Sequence, residues 1–113
     1  MMSALSEIGE ALSLIHIPWE TGAYKENAPD EYVVLVPLGE QFDIQADNRP
    51  MYDIQRVRLS IFSKGNYNNI KNSLVRLLLD ADFSFSDRRY IGYDSNTGYH
   101  QYVLDVAKHY EME

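Results

Sequence analysis

Few residues of this 113-residue chain are spaced for chemistry. The most suggestive are Ser63-Lys64-Gly65-Asn66, where an alternating run gives way at once to a helical one. A lysine at a strand–glycine–helix junction is a setting in which backbone N–H groups can wrap a phosphate. That cradle needs Gly-x-x-x-x-Gly-Lys followed by Ser or Thr. Here Lys64 precedes a lone Gly65 and Asn66 follows, so the residues predict a corner. In it Gly65 takes positive φ and Asn66 starts the next helix. His16, His100 and His109 are the only histidines. The nine-residue separation of His100 and His109 puts them on opposite faces of a regular strand. No His-x-x-x-His or Glu-x-x-His pair exists to hold a metal. Asp80 and Asp82 are two apart, and on a helix such residues diverge. Asp94-Ser95-Asn96-Thr97-Gly98 has some look of a calcium loop but lacks the twelve-residue ligand pattern with its closing glutamate, so a hairpin turn is expected. The serines lack a Gly-x-Ser-x-Gly elbow. No catalytic, cofactor or metal residue is therefore assigned, and the chain reads as a non-enzyme.

The elements that position these residues follow from periodicity. Leu5, Ile8, Leu12 and Ile15 recur at helical spacing, which predicts a helix over 3–15, capped by Ser3 and stopped by Pro18. Residues 21–30 contain Gly22, Asn27 and Pro29 and read as a loop. Residues 32–38 alternate as a strand, with Tyr32, Val34, Val36 and Leu38 on one face and Val33 and Leu35 on the other. Pro37 belongs at a strand end or a sheet edge. Gly39-Glu40 predicts a turn, and 41–48 a weaker strand that Arg49-Pro50 breaks or bulges. Residues 53–63 form a clear strand, with Val57, Leu59 and Ile61 facing one way and Arg56, Arg58 and Ser60 the other. Arg56 and Arg58 read as a solvated or intrachain-paired row. Ile70, Leu74, Leu77, Leu78 and Ala81 make the apolar stripe of a second helix. Residues 88–93 and 99–110 are two more strands. The last sets Tyr102, Leu104 and Val106 against Gln101, Val103 and Asp105. The order is α-β-β-β-α-β-β, which predicts an α+β domain spanning 1–113, its mainly antiparallel sheet covered on one face by two helices.

Composition narrows the classes of function. The chain has no cysteine, so disulfides and thiolate chemistry are absent. No apolar run reaches the ~18 residues of a membrane span, and the N-terminus lacks a signal-peptide pattern. A net charge of −7 argues against tight phosphate binding. Nine tyrosines against one tryptophan suit half-buried surfaces, whether strands or interfaces.

Two segments carry a resemblance. Val57 onward reads "VRLSIFSKGNYNNIKNSLVRLLL", a strand, a Ser-Lys-Gly corner and an amphipathic helix. Phe83 onward reads "FSFSDRRYIGYDSNTGYHQYVLDVAKHYE", an aromatic strand, a polar hairpin and a long closing strand. With the N-terminal helix and loop, this succession resembles the tail terminator, or tail completion, proteins of tailed bacteriophages and prophages. The resemblance implies a homo-oligomeric ring, commonly a hexamer, on the head-proximal end of the tail tube. It would be assembled in the bacterial host cytoplasm and lodged at the head–tail junction of the virion. The implied partners are further copies of itself, the tail tube protein and a head-completion or connector protein. DNA would pass through the lumen without specific binding, and no membrane is involved. Candidate contact residues are Tyr24, Lys25, Arg49, Tyr52, Arg88, Arg89, Tyr93 and Tyr99. The loop 21–30 and the hairpin tip 94–98 are placed to reach neighbours, and Tyr67 and Tyr90 are further candidates. A head-completion, connector or tube protein of similar fold, or a non-viral interaction module, is the competing reading.

Overall fold

The computed structural model describes residues 3–24, 27–44 and 50–112. Helix α1 (Ala4–Leu14) opens with a reciprocal cap. Ser6 N–H donates to Ser3 Oγ at 3.2 Å, and Ser3 N–H donates to Ser6 Oγ at 3.0 Å. Its inner face buries Ala4, Ile8, Ala11 and Leu12. Helix α2 (Asn68–Asp80) buries Ile70, Leu74 and Leu78. The strands are β1 (Trp19–Thr21), β2 (Glu31–Ile44), β3 (Pro50–Ser63), β4 (Ser84–Asp94) and β5 (Tyr99–Glu111).

Both helices end in the same motif without a glycine. His16 takes φ 58 after α1, and Asp82 takes φ 68 after α2. Ile17 N–H reaches back to the Leu12 carbonyl at 3.0 Å, and Phe83 N–H to that of Leu78 at 2.9 Å. These are the six-to-one bonds of Schellman ends, and each throws an apolar residue, Ile17 or Phe83, back onto the core. Pro18 was expected to stop α1, but the chain has already left the helix two residues earlier.

The sheet runs β1-β2-β3-β5-β4, antiparallel throughout except for the β1–β2 pair. Helix α2 connects β3 to β4, which run parallel to one another with β5 between them. Both helices lie on one face. Beneath them Val33, Leu35, Val57, Leu59, Ile61, Leu104 and Val106 form the core with the helix residues. The α+β class, the element order and the one-sided helices match the expectation from periodicity.

Several boundaries are corrected. The two strands expected over 32–38 and 41–48 are a single strand, β2, up to Ile44; residues 45–49 lie outside the described residues. Gly39-Glu40 is no turn: the register shifts between Pro37 and Gly39, and Gly39 absorbs the bulge at φ 146. Strand β1, at the end of the connection that begins at His16, was not expected. Three residues are too few to show a period, and Thr21, expected in the loop, is its last residue. Strand β3 begins at Pro50 rather than Asp53, and β4 at Ser84 rather than Arg88.

The Ser63–Asn66 corner is confirmed in place but not in detail. Gly65 is not at positive φ. Its N–H instead donates to Ser63 Oγ at 3.1 Å. Asn66 Oδ1 accepts from Asn68 N–H at 3.0 Å, so it closes the turn before α2 rather than capping the helix directly.

Strand β1 pairs only with Val33, Val34 and Leu35 of β2. Beyond that point β2 has no strand on its outer side among the described residues, while β3 and β5 continue beside it on the inner side. The result is an arm that stretches the molecule to 54 × 25 × 24 Å. Pro37, which cannot donate to a ladder, sits on this free edge, as its chemistry requires.

Candidate interaction surfaces

The second face of the sheet carries no helix. Along its middle, Val34, Ser60 and Val103 lie side by side across β2, β3 and β5 and are buried by their neighbours. One step further, Arg58 holds Asp105 with two hydrogen bonds, Nε to Oδ1 at 2.7 Å and Nη2 to Oδ2 at 2.9 Å. This hydrogen-bonded guanidinium keeps the Asp105 carboxyl below its ordinary range, against the opposing effect of its burial. The intrachain reading of the Arg56–Arg58 row is therefore correct for Arg58. Arg89, across the ladder from Val103, forms an ion pair with Asp87.

The tyrosines gather in two groups. On the uncovered face Tyr24, Tyr32, Phe62 and Tyr99 form a chain of ring contacts, with Tyr32 stacked on Phe62 at 4.8 Å between centroids. Tyr99 Oη donates to the Pro29 carbonyl at 2.6 Å, which ties the loop ahead of β2 to the β4–β5 hairpin. A shallow cavity of about 450 Å³ opens beside them, lined by Tyr32, Phe62, Ile91, Tyr93 and Tyr99. On the helix side Tyr67 stacks between Tyr90 and Tyr102, and Tyr90 Oη lies 2.9 Å from His100 Nδ1. His109 is on the other face, edge-on to Tyr52 at 5.9 Å between centroids. The two histidines are thus on opposite faces, as their spacing implied.

The residues singled out for contacts are dispersed. Tyr24 and Tyr99 share the first aromatic group and are half-buried. Tyr52 is half-buried near the far end of the arm, across from Asp43, and Tyr93 is exposed against His100. Arg88 and Arg89 are exposed and adjacent on β4, on opposite faces of the sheet. Lys25 and Arg49 lie outside the described residues. What the residue-by-residue reading missed is the outer edge of the arm, where Leu38 and Phe42 stand exposed at 46% and 56%. Read as two short strands and a turn, that stretch gave no sign of being one long free edge.

A polar cluster joins α1 to β5. Lys108 Nζ donates to Glu7 Oε1 at 2.8 Å, and Tyr110 Oη donates to Glu7 Oε2. Burial, followed by the hydrogen bond to Glu7 and its charge, pushes the Tyr110 phenol far above its ordinary range. Each of these groups is partnered within the chain, so the cluster serves as a clamp. The hairpin after β4 is closed by Gly98 N–H to the Asp94 carbonyl at 2.7 Å and by Asn96 N–H to Asp94 Oδ1 at 2.9 Å. Among the described residues no group of three His, Asp or Glu side chains converges on a point that could hold a metal. Among the described residues no helix is long and apolar enough to cross a membrane. No known family's profile matches the chain, and no curated protein matches it significantly.

Proposed function

We propose that this chain is a structural protein of a phage or prophage tail, a terminator that closes as a ring on the head-proximal end of the tail tube. The observation that carries the reading is the arm of β2, β3 and β5. It is a three-stranded extension whose outer edge pairs with no strand among the described residues and whose Leu38 and Phe42 are exposed, a surface suited to a neighbouring protein more than to a small molecule. The α+β architecture supports the reading, since proteins of the family that the chain resembles share an α+β fold.

In this reading the protein works by occupancy. One rim of the ring fits the last ring of tube protein, and the other offers the head-completion or connector protein a surface that no further tube subunit fits. Copies meet through two different patches around a rotation axis, an arrangement that closes. A subunit charge of −7 disfavours adhesion to DNA passing through the lumen. Deleting the gene from its phage or prophage and imaging the tails tests the proposal. Overlong tails without heads are expected. Tails of normal length that fail to join capsids would instead identify a head-side connector, and normal virions would refute both roles.

A further inference from the structure

The helices cover only part of their side of the sheet. Gln55 Oε1 accepts from Ala4 N–H at 2.8 Å, so α1 begins at the row Glu40–Gln55–Lys108. Helix α2 gives way to β4 at Ser84, level with Ala107. The next row on that side is Phe42–Asp53–Tyr110, and beyond it Met112 N–H donates to the Met51 carbonyl at 2.9 Å. Phe42, Met51 and Met112 are exposed at 56%, 42% and 38%, although they continue the side on which Val57, Leu59 and Val106 are buried. Phe42 reaches this side through the bulge between Pro37 and Gly39. Without the bulge, the alternation that holds Val34 and Val36 on the uncovered face would carry Phe42 there as well.

Two carboxylates stand among these apolar side chains. Glu40 and Asp53 line, with Gln41 and Phe42, a shallow cavity of about 320 Å³. Asp53 Oδ2 accepts from Gln55 Nε2 at 3.1 Å, and neither carboxylate has an ion-pair partner among the described residues. Lys108, in the neighbouring row, is held by Glu7. We infer that this side of the arm is the docking face for an amphipathic helix of a partner protein. A lysine or arginine on the apolar side of that helix enters the cavity between Glu40 and Asp53.

The occupant follows from what the surface lacks. One row away the same side of the sheet is covered by helices, the elements whose apolar stripes pack across strands. Phe42, Met51 and Met112 leave that layer unfinished, and exposed large apolar residues rimmed by charge mark a protein contact. Methionine side chains adapt to the shape of what they meet. The charge required is positive. A wholly apolar helix would cover both carboxylates and leave them uncompensated, whereas a cation pairs with them and meets the Phe42 ring. Nucleic acid is repelled by the same carboxylates and by the net charge of −7. A second copy offers no such helix: α1 exposes Glu10 and no cation, and α2 exposes one large apolar residue, Leu79. The inference holds whether or not the protein caps a tail.

Peptide binding tests the inference. The probe is a fluorescein-labelled amphipathic helix of about 15 residues built from leucine and lysine, with one lysine set in its leucine side. Its control carries glutamate in place of every lysine. Anisotropy titrations are run on the wild type, Phe42→Ser, Asp53→Asn and Glu10→Gln, with far-UV circular dichroism confirming the fold of each. Glu10 is exposed on the outer side of α1, so its variant removes the same charge away from the arm. The wild type is expected to bind the lysine peptide in the micromolar range and the control about tenfold more weakly or worse. Phe42→Ser and Asp53→Asn should each raise Kd about fivefold or more, while Glu10→Gln stays within about twofold of wild type. No binding by the wild type, equal affinity for the two peptides, or an effect of Glu10→Gln as large as that of Asp53→Asn overturns the inference. Sedimentation equilibrium without peptide completes the test. Self-association that Phe42→Ser abolishes would make the occupant a second copy and overturn the helix partner, whereas an oligomeric state that Phe42→Ser leaves unchanged supports it.

Discussion

Gly9 sits in the middle of α1, where a glycine ordinarily weakens a helix by about 1 kcal/mol relative to alanine. Replacing it with alanine should therefore stabilise the protein, unless something occupies the space of the new methyl. Something does. A Cβ on Gly9 would meet Trp19 Cζ2 at 2.6 Å, Cη2 at 3.0 Å and Cε2 at 3.3 Å. Carbon atoms sit comfortably at about 3.5–4.0 Å, so the indole would have to retreat by about 1 Å. Trp19 is partly buried against the core and begins β1, whose ladder to Val33 fixes its backbone. Overpacking of this kind costs about 1–3 kcal/mol. With the propensity gain subtracted, Gly9→Ala is expected to destabilise by about 1 kcal/mol. In a Trp19→Ala background the obstruction is gone, and the same substitution should stabilise by about 1 kcal/mol. The coupling between the two sites is then about 2 kcal/mol, well above the error for independent positions. Urea unfolding followed by far-UV circular dichroism measures all four corners of the cycle. The emission of the chain's single tryptophan reports ring displacement directly in Gly9→Ala. A Gly9→Ala protein stabilised equally in both backgrounds would refute the reasoning, because the indole would then not be held where the packing places it.

Leu74 is fully buried between α2 and the sheet, whereas Leu77, in the stripe expected from spacing, is only partly buried. Leu74→Ala is expected to cost about 3 kcal/mol, a fall in Tm of roughly 12 °C for a domain of this size, and Leu77→Ala less than half of that. Differential scanning calorimetry on both variants checks the order. The Tyr110 phenol has its pKa raised above the ordinary 10.0 by burial and by Glu7. Below that value the phenol is neutral in both folded and unfolded chains. Above it the unfolded chain loses the proton first, so stability should fall as pH rises beyond about 10. Tyr110→Phe should flatten that alkaline slope while costing about 1 kcal/mol at neutral pH through the lost hydrogen bond, both readable from urea midpoints between pH 7 and 11.

Periodicity and capping chemistry determined much of this protein by themselves. The stripe Ile8–Leu12 and the stripe Ile70–Leu74–Leu78 each bury one side of a helix, the alternations of β3 and β5 set which residues face the helices, and a residue's side follows from its position along a local repeat of 3.6 or 2. The same parity put His100 and His109 on opposite faces, and the missing glycine spacing made the Lys64-Gly65 junction a corner. Other features depended on partners remote in the chain. The Pro37–Gly39 stretch looks like a turn because proline and glycine usually break strands. It continues as a strand because β3 offers an unbroken ladder on its inner side and nothing requires an N–H on its outer side. Trp19–Thr21 becomes a strand only because Val33, Val34 and Leu35 lie beside it. His16 and Asp82 adopt left-handed backbone only because Ile17 and Phe83 gain burial in a core built by other elements. Whether Arg58 was solvated or paired turned on Asp105, 47 residues away, and that Glu40 and Phe42 share a side with Asp53 turned on the bulge in the ladder to β3. Local pattern states which side of an element is apolar, whereas the order of strands, and hence which edges stay free, is set by long-range pairing whose energy no short window of residues contains.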